Sequence, residues 1–290
     1  MAGRVVVGVD GSASGLAAVE VAAREARLRE AELRVVHAFL WPAMHPPPAS
    51  SPLGPPEGGV RSMVERLLAE AAERARSVAP EVEVSCAVVT GEPLTVLEAQ
   101  SHAAELVVVG SRGMGGFVGL LAGSTAVHLA AHGRCPVLVV REEPRADGPV
   151  VVGVDGSVAG EQAVDFAFAE AALHATDLVA LHAWTIRNAP MPTVRYVDGA
   201  AGLAGAEERL LSEALAGHRE QYPDVSVRHE VVHGGTREAL IEASRSARLM
   251  VVGARGRGGF AGLLLGSVSQ ALLHHAHCPV AVVRGTNERH

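Results

Sequence analysis

Residues 5–12 read VVVGVDGS, and residues 150–157 read VVVGVDGS again. A short β-branched apolar run that ends on Gly and then Asp-Gly-Ser reads as a buried strand that turns straight into a helix. Further blocks repeat in the same order. LRVVHAFLW at 33–41 returns as LVALHAWT at 178–185, and LVVVGSRGMGGFVGLLAGST at 106–125 returns as LMVVGARGRGGFAGLLLGSV at 249–268. GRCPVLVVR at 133–141 returns as AHCPVAVVR at 276–284. The offset is 145 at the start and 143 later, so one small length change separates the copies. That period is far too long for a solenoid and is the length of a domain. The polar stretch EEPRADGP at 142–149 reads as the linker. The expected domains are therefore 1–144 and 145–290.

Within the first copy, strands are expected near 4–9, 33–39, 82–89, 106–110 and 137–141. Helices are expected near 13–31, 60–79, 93–104 and 124–133. The strand runs are nearly continuous in Val, Leu and Ala, as strands covered on both faces require. Strand–helix alternation of this kind gives an α/β, doubly wound domain. The second copy is expected to follow the same course from 150 to 284. Residues 42–59, PAMHPPPASSPLGPPEGG, break the pattern. Proline at that density excludes a helix or a central strand. The stretch reads as a mobile loop, with a lid or partner-binding loop as the sharper alternative.

Composition narrows the function classes. The chain has 290 residues, 48% of them hydrophobic, which is enough for two cores. A net charge of −7 argues against non-specific nucleic-acid binding. All 25 basic residues are arginine. The lack of lysine excludes a Schiff-base or Walker A lysine, so a phosphate has to be met by backbone N–H groups, arginine, hydroxyls or a metal ion. The three cysteines form no CxxC pair. With no leader-like or membrane-spanning apolar run, they fit a reducing cytoplasm.

Two sets of residues could carry a ligand. Asp10 and Asp155 end their strands, where open α/β sheets bind ligands. Either could meet a ribose hydroxyl or an adenine amine, and either fits equally well as a turn residue before a helix. The second set is the spacing G-x2-G-x9-G: Gly110, Gly113 and Gly123 with Ser124, then Gly253, Gly256 and Gly266 with Ser267. The first glycine closes a strand. The serine is expected to cap a helix whose free N–H groups face an anion. This is a phosphate cradle without a lysine. Arg112 and Arg255 are its natural cations, or else solvated surface residues. Ser124, Thr125, Ser267 and Ser269 offer hydroxyls to phosphates or to a magnesium-type ion. Gly8, inside its strand, is expected to leave room for a flat base.

With these residues placed, the chain resembles the universal stress protein family over nearly its whole length. The resemblance rests on VGVDGS, on VVHAF and VALHAW, on the glycine spacing ending in Gly-Ser, and on CPVLVVR. It implies a Rossmann-like, adenine nucleotide alpha hydrolase-like fold: in each domain, a five-stranded parallel sheet in the order 3-2-1-4-5, flanked by helices. It also implies ATP binding, with Mg2+ as a possible companion. Site one would comprise Gly8, Asp10, Gly110, Ser111, Arg112, Gly113, Met114, Gly115, Gly116, Gly123, Ser124 and Thr125. Site two would comprise Gly153, Asp155, Gly253, Ala254, Arg255, Gly256, Arg257, Gly258, Gly259, Gly266, Ser267, Val268 and Ser269. The backbone at Val36, His37 and Ala38, and at Leu181, His182 and Ala183, would meet the adenine. Ala126 stands where the family pattern and Ser269 carry a hydroxyl. The resemblance further implies a homodimer or internal pseudo-dimer paired through the final strands, 137–141 and 280–284.

Other signals carry less. His274, His275 and His277 crowd before Cys278, but only His274 and His277 share a helix face, so a helix C-terminus explains them better than a metal site. There is no Walker A, HxGH, SGGxDS or GxSxG motif. Glu92, in Gly-Glu-Pro, is a surface residue or at most a general base. The expected function is an ATP-binding regulator in stress response, dormancy or growth control with an unknown protein partner. A slow ATPase or nucleotidyl-transfer enzyme and a ligand-free scaffold are the alternatives.

Overall fold

A computed structural model describes residues 3–39, 57–113, 123–141, 147–185, 196–257 and 264–285. The chain divides into two compact units, Met1–Val140 and Arg141–His290. The first unit runs β1 (Arg4–Gly8), α1 (Ala13–Leu28), β2 (Glu32–Phe39), α2 (Glu57–Val78), β3 (Val84–Thr90), α3 (Pro93–Ser101), β4 (Leu106–Gly110), α4 (Ser124–His132) and β5 (Val137–Val140). Its strands are parallel, in the order β3-β2-β1-β4-β5. The second unit runs β6 (Val150–Gly153), α5 (Val158–Leu173), β7 (Leu178–Trp184), α6 (Tyr196–Ala214), α7 (His218–Gln221), β8 (Val227–His233), α8 (Thr236–Ala243), β9 (Leu249–Gly253), α9 (Ser267–His275) and β10 (Val280–Val283). It repeats the parallel order as β8-β7-β6-β9-β10. Each order is the expected 3-2-1-4-5.

The central strands are buried on both faces, which explains their unbroken apolar runs. Val5, Val6, Val7, Val107 and Val108 are fully buried, as are Val150, Val152 and Val251. Each such side chain contributes roughly 1.5–3 kcal/mol by leaving water. Helix α1 is rich in alanine and starts at Ser12, whose hydroxyl accepts from the Gly15 N–H at 3.1 Å. Its inner face is Ala18, Val19, Ala22, Ala23 and Ala26. It ends with Glu30 in the left-handed region, and Ala31 N–H donates back to the Ala26 carbonyl at 2.9 Å. Helix α5 does the same through Ala175 and Thr176. With Glu30 N–H on the Arg27 carbonyl and Ala175 N–H on the Ala172 carbonyl, these bonds satisfy the last helical carbonyls.

Two local expectations need correction. Residues 57–59 belong to α2, so the proline-rich stretch yields to helix three residues early, after its last proline. Residues 42–56, with the lid expectation, lie outside the described residues. The short helix α7 has no counterpart among the expected elements. No helix among the described residues is long and apolar enough to cross a membrane.

Candidate functional site

Strands β1 and β4 are neighbours whose onward connections leave in opposite directions, and so are β6 and β9. That parting opens a crevice at the carboxyl ends of the strands. In the second unit the crevice is a cavity of about 950 Å³, within the range of small-molecule sites. Its floor is apolar: Leu181, Leu240 and Val252 line it, and each is buried. Asp155 lies on one side, and Arg255, Gly256 and Arg257 follow from the end of β9. Gly266, Ser267, Val268 and Ser269 close another side at the start of α9.

Asp155 organises this wall. Its Oδ1 accepts from the Ser157 N–H at 2.9 Å and its Oδ2 from the Arg257 N–H at 2.7 Å. The carboxylate thus ties the β6 turn to the glycine loop. Gly256 is what lets it approach, because a Cβ there would lie 2.3 Å from Oδ2. Asp10 holds the Ser12 N–H at 2.9 Å, and a Cβ on Gly113 would lie 2.6 Å from its Oδ2. Among the two readings of these aspartates, the turn role is therefore present in both units. It leaves the carboxylate beside the glycine loop.

The loop is closed by its main chain. Gly266 N–H donates to the Ala254 carbonyl at 2.7 Å, and Gly123 N–H to the Ser111 carbonyl at 2.7 Å. Here the capping expectation fails. Gly266 and Gly123 are the N-cap residues, in extended conformation, while Ser267 and Ser124 are the first residues of their helices. The ladder of α9 begins with Gln270 N–H bonding the Gly266 carbonyl at 3.0 Å. The N–H groups of Ser267, Val268 and Ser269 precede it and carry the positive end of the helix at the cavity they line. Ser269 is buried, and its hydroxyl lies 3.0 Å from the Ala254 carbonyl and 2.9 Å from the Gly266 carbonyl. Its proton braces the loop rather than facing outward. At the matching place Ala126 is also buried and has no hydroxyl to do so.

Gly8 lies at the end of β1. A Cβ there would lie 2.8 Å from Leu97 Cδ1, so the missing side chain leaves room for a leucine of α3 to pack against the strand. Gly153 likewise faces Leu240 of α8, with Cδ1 at 3.1 Å from a built Cβ, and both residues line the cavity. His182 and Ala183 do not line the cavity; their neighbours Leu181 and Thr185 do. The His182 ring is buried, with Nδ1 2.6 Å from the Val154 carbonyl and Nε2 3.0 Å from Glu207 of α6. His37 Nδ1 meets the Val9 carbonyl at 2.8 Å. A carbonyl only accepts, so both rings carry their proton on Nδ1 there. These histidines tie β2 to the end of β1 and β7 to the end of β6. The Ala183 carbonyl accepts from the Thr236 hydroxyl at 3.4 Å.

Gly110 and Gly253 end β4 and β9 as expected, and a Cβ on Gly110 would meet the α1 backbone at Ser14 within 2.7 Å. Ser111 is buried, with its N–H on the Val140 carbonyl at 2.8 Å. The Arg112 carbonyl accepts from the hydroxyls of Ser12 and Ser14. Thr125 is in the first turn of α4. Met114, Gly115, Gly116, Gly258 and Gly259 lie outside the described residues. The start of α8 was missed: its N-cap Gly235 and its first residues Thr236, Arg237 and Glu238 line the cavity. The signal was GEP at 91–93, whose counterpart in the second repeat is GGT at 234–236. Glu92 itself is the N-cap residue of α3.

Comparison with known proteins agrees with this architecture. The model of the Universal stress protein family matches residues 1–141 and again 148–284. A universal stress protein of Mycobacterium tuberculosis is 39% identical over 305 aligned residues, which cover 97% of this chain and 94% of that protein. One from Mycolicibacterium smegmatis is 38% identical, covering 97% of this chain and 96% of its own length. The crystal structure of a universal stress protein from Archaeoglobus fulgidus shares the fold at a TM-score of 0.67 and 18% identity, over 97% of this chain and 98% of that one. Matched twice by the family model and along nearly all of its length by tandem relatives, the chain belongs to the universal stress protein family.

Proposed function

We propose that the protein binds an adenine nucleotide, in first place ATP, and acts as a nucleotide-dependent regulator in stress response, dormancy or growth control. The observation that carries this reading is the second-unit cavity. It pairs an apolar floor of Leu181, Leu240 and Val252 with a rim of backbone N–H groups and arginine. A flat base suits the first and an anionic phosphate chain the second. Asp155, held beside Gly256, is within the same wall and suits a ribose hydroxyl. The donor set fits a phosphate: the N–H groups at the start of α9, the Arg255 and Arg257 side chains, and Gly256, where a Cβ would collide with the Asp155 carboxylate. In the first unit, Asp10, Gly110, Gly113 and Gly123 offer the same arrangement, and we assign it the same ligand. The domain limits 1–144 and 145–290 are kept for this reading. So is association of chains through a final strand, which light scattering reads.

The test is direct. The purified protein is denatured and the released small molecules are resolved on a nucleotide-separating column. ATP near two equivalents per chain is expected. One equivalent would restrict the reading to a single unit. ADP in place of ATP would favour a slow ATPase. No nucleotide, together with no binding of added ATP and magnesium, would overturn the reading.

A further inference from the structure

We propose that Arg257 is the specificity-determining residue of the second cavity, the group that makes it prefer a nucleotide with a polyphosphate chain over the monophosphate. The inference rests on the nucleotide reading above and names the group that would count phosphates.

The backbone of Arg257 is held by a carboxylate, its side chain only by a neutral carbonyl. The N–H is held by Asp155 Oδ2 at 2.7 Å. Exposure rises along the loop, from buried Ala254 through half-buried Arg255 to exposed Arg257. Arg257 therefore stands at the solvent end of the rim, where the outer part of an extended ligand would lie. Its guanidinium rests on the Gly156 carbonyl, with Nη2 3.0 Å from the oxygen. Gly156 makes this seat: its φ is +68°, and a Cβ would lie 2.6 Å from Nη2. The same side chain borders a smaller cavity of about 220 Å³, lined also by Glu161 and Glu213. Arg257 is thus common to the large cavity and the small one.

The chemistry favours a transfer between the two. A neutral carbonyl is a weaker partner for guanidinium than a phosphate, which takes two parallel charge-assisted bonds. The α9 N-terminus and the loop backbone serve whichever phosphate sits deepest. Each further phosphate adds charge toward the solvent end, and the chain has no lysine to meet it. The first repeat carries Met114 at the matching position, so the preference belongs to the second site alone.

The experiment uses the full chain with Trp41→Phe, which leaves Trp184 as the sole tryptophan. Trp184 ends β7 beside the cavity-lining Thr185 and reports the second site. AMP and ATP are titrated against this protein, against Arg257→Met and against Arg257→Lys, with circular dichroism melts as a check on folding. Arg257→Met is expected to weaken ATP about tenfold and AMP less than about twofold, the scale of one charge-assisted contact. Arg257→Lys should recover part of the ATP preference, because it keeps the charge and loses the fork. Equal weakening of AMP and ATP would make the role structural and overturn the proposal. So would an unchanged ratio. If Arg257→Met does not fold, Arg257→Lys and rising NaCl on the parent decide: an ATP preference indifferent to both overturns it. No binding of either nucleotide by the parent would overturn the nucleotide reading itself, and this proposal with it.

Discussion

In the first unit the glycine loop is held from the α1 side, where the hydroxyls of Ser12 and Ser14 both donate to the Arg112 carbonyl. In the second unit the position of Ser14 is Ala159, and other bonds take over. Ser269 braces Ala254 from the α9 side, and Arg257 reaches across to Gly156. What does not change is main chain: Gly123 to Ser111 and Gly266 to Ala254, both at 2.7 Å. The duplicated loop keeps its backbone closure and lets side chains vary around it. A second contrast lies in the helix behind the first strand. Ala23 in α1 and Phe168 in α5 are counterparts, both fully buried. The larger ring of Phe168 stacks on His218 of α7 at 4.8 Å and on Tyr222 at 5.8 Å between centroids. The helix that the second unit adds is the cover for the phenylalanine that the first unit lacks.

The largest way to break this contrast is Phe168→Ala, which gives α5 the residue of α1. A buried phenylalanine removed from a close-packed site costs about 3–5 kcal/mol. In urea denaturation of the Trp41→Phe chain followed by Trp184 fluorescence, the transition of the second unit should move to lower urea by that amount. A loss below about 1 kcal/mol would mean that α7 closes over the gap and that the stack is incidental. Ala23→Phe should be destabilising in its turn, because no cover exists for it in the first unit.

A middle-sized effect tests the loop. Ser269→Ala should cost about 1–2 kcal/mol, the scale of a buried hydrogen bond whose acceptors are left behind. Ala126→Ser should gain about 0.5–1 kcal/mol by donating to the Ser111 or Gly123 carbonyl. Paired denaturation curves check both. If Ala126→Ser destabilises instead, the two loops differ in backbone more than their shared closure implies.

How much of this was legible follows from what each feature depends on. The strands were readable because VVVGVDGS and LVVVG are apolar runs with few other uses, and the repeat doubled the sample; their order came only with the family resemblance. The glycine loop was readable by its spacing. The identity of the cap was not: Gly-Ser admits either residue as N-cap, and only the extended dihedrals of Gly123 and Gly266 separate them. The leucine packed against Gly8, Leu97, was not readable, because it is remote in sequence and approaches through the tertiary fold. His182 looked like a cavity residue from its place at a strand end. Strand alternation gives the side a residue faces, but not that Val154 and Glu207 would claim both ring nitrogens. Helix α7, only four residues long, has too few turns to show a period.

The smallest effect sharpens the contrast at the sheet edges. Cys86 of β3 and His229 of β8 occupy the same register, opposite Val35 and Ala180. His229 has its proton affinity lowered by burial and by Arg219, whose guanidinium lies 3.2 Å from Nε2 and needs that nitrogen as an acceptor. Cys86 has its pKa raised by burial, with Arg76 opposing. The two signs give opposite pH arms. Below the ordinary histidine value of 6.5 the unfolded chain takes the proton first, so the His229 contribution weakens as pH falls from 6.5 to the lower folded value. Above the ordinary thiol value of 9.0 the unfolded chain loses its proton first, so the Cys86 contribution weakens as pH rises. Urea midpoints from about pH 5 to about pH 10 read both arms. His229→Gln should flatten the acid side alone and Cys86→Ala the alkaline side alone, each by a small amount, since both residues are solvent-exposed. An acid arm untouched by His229→Gln would leave the other histidines of the second unit, His274 first, as its source: burial, His275 and Arg141 lower its proton affinity in the same direction.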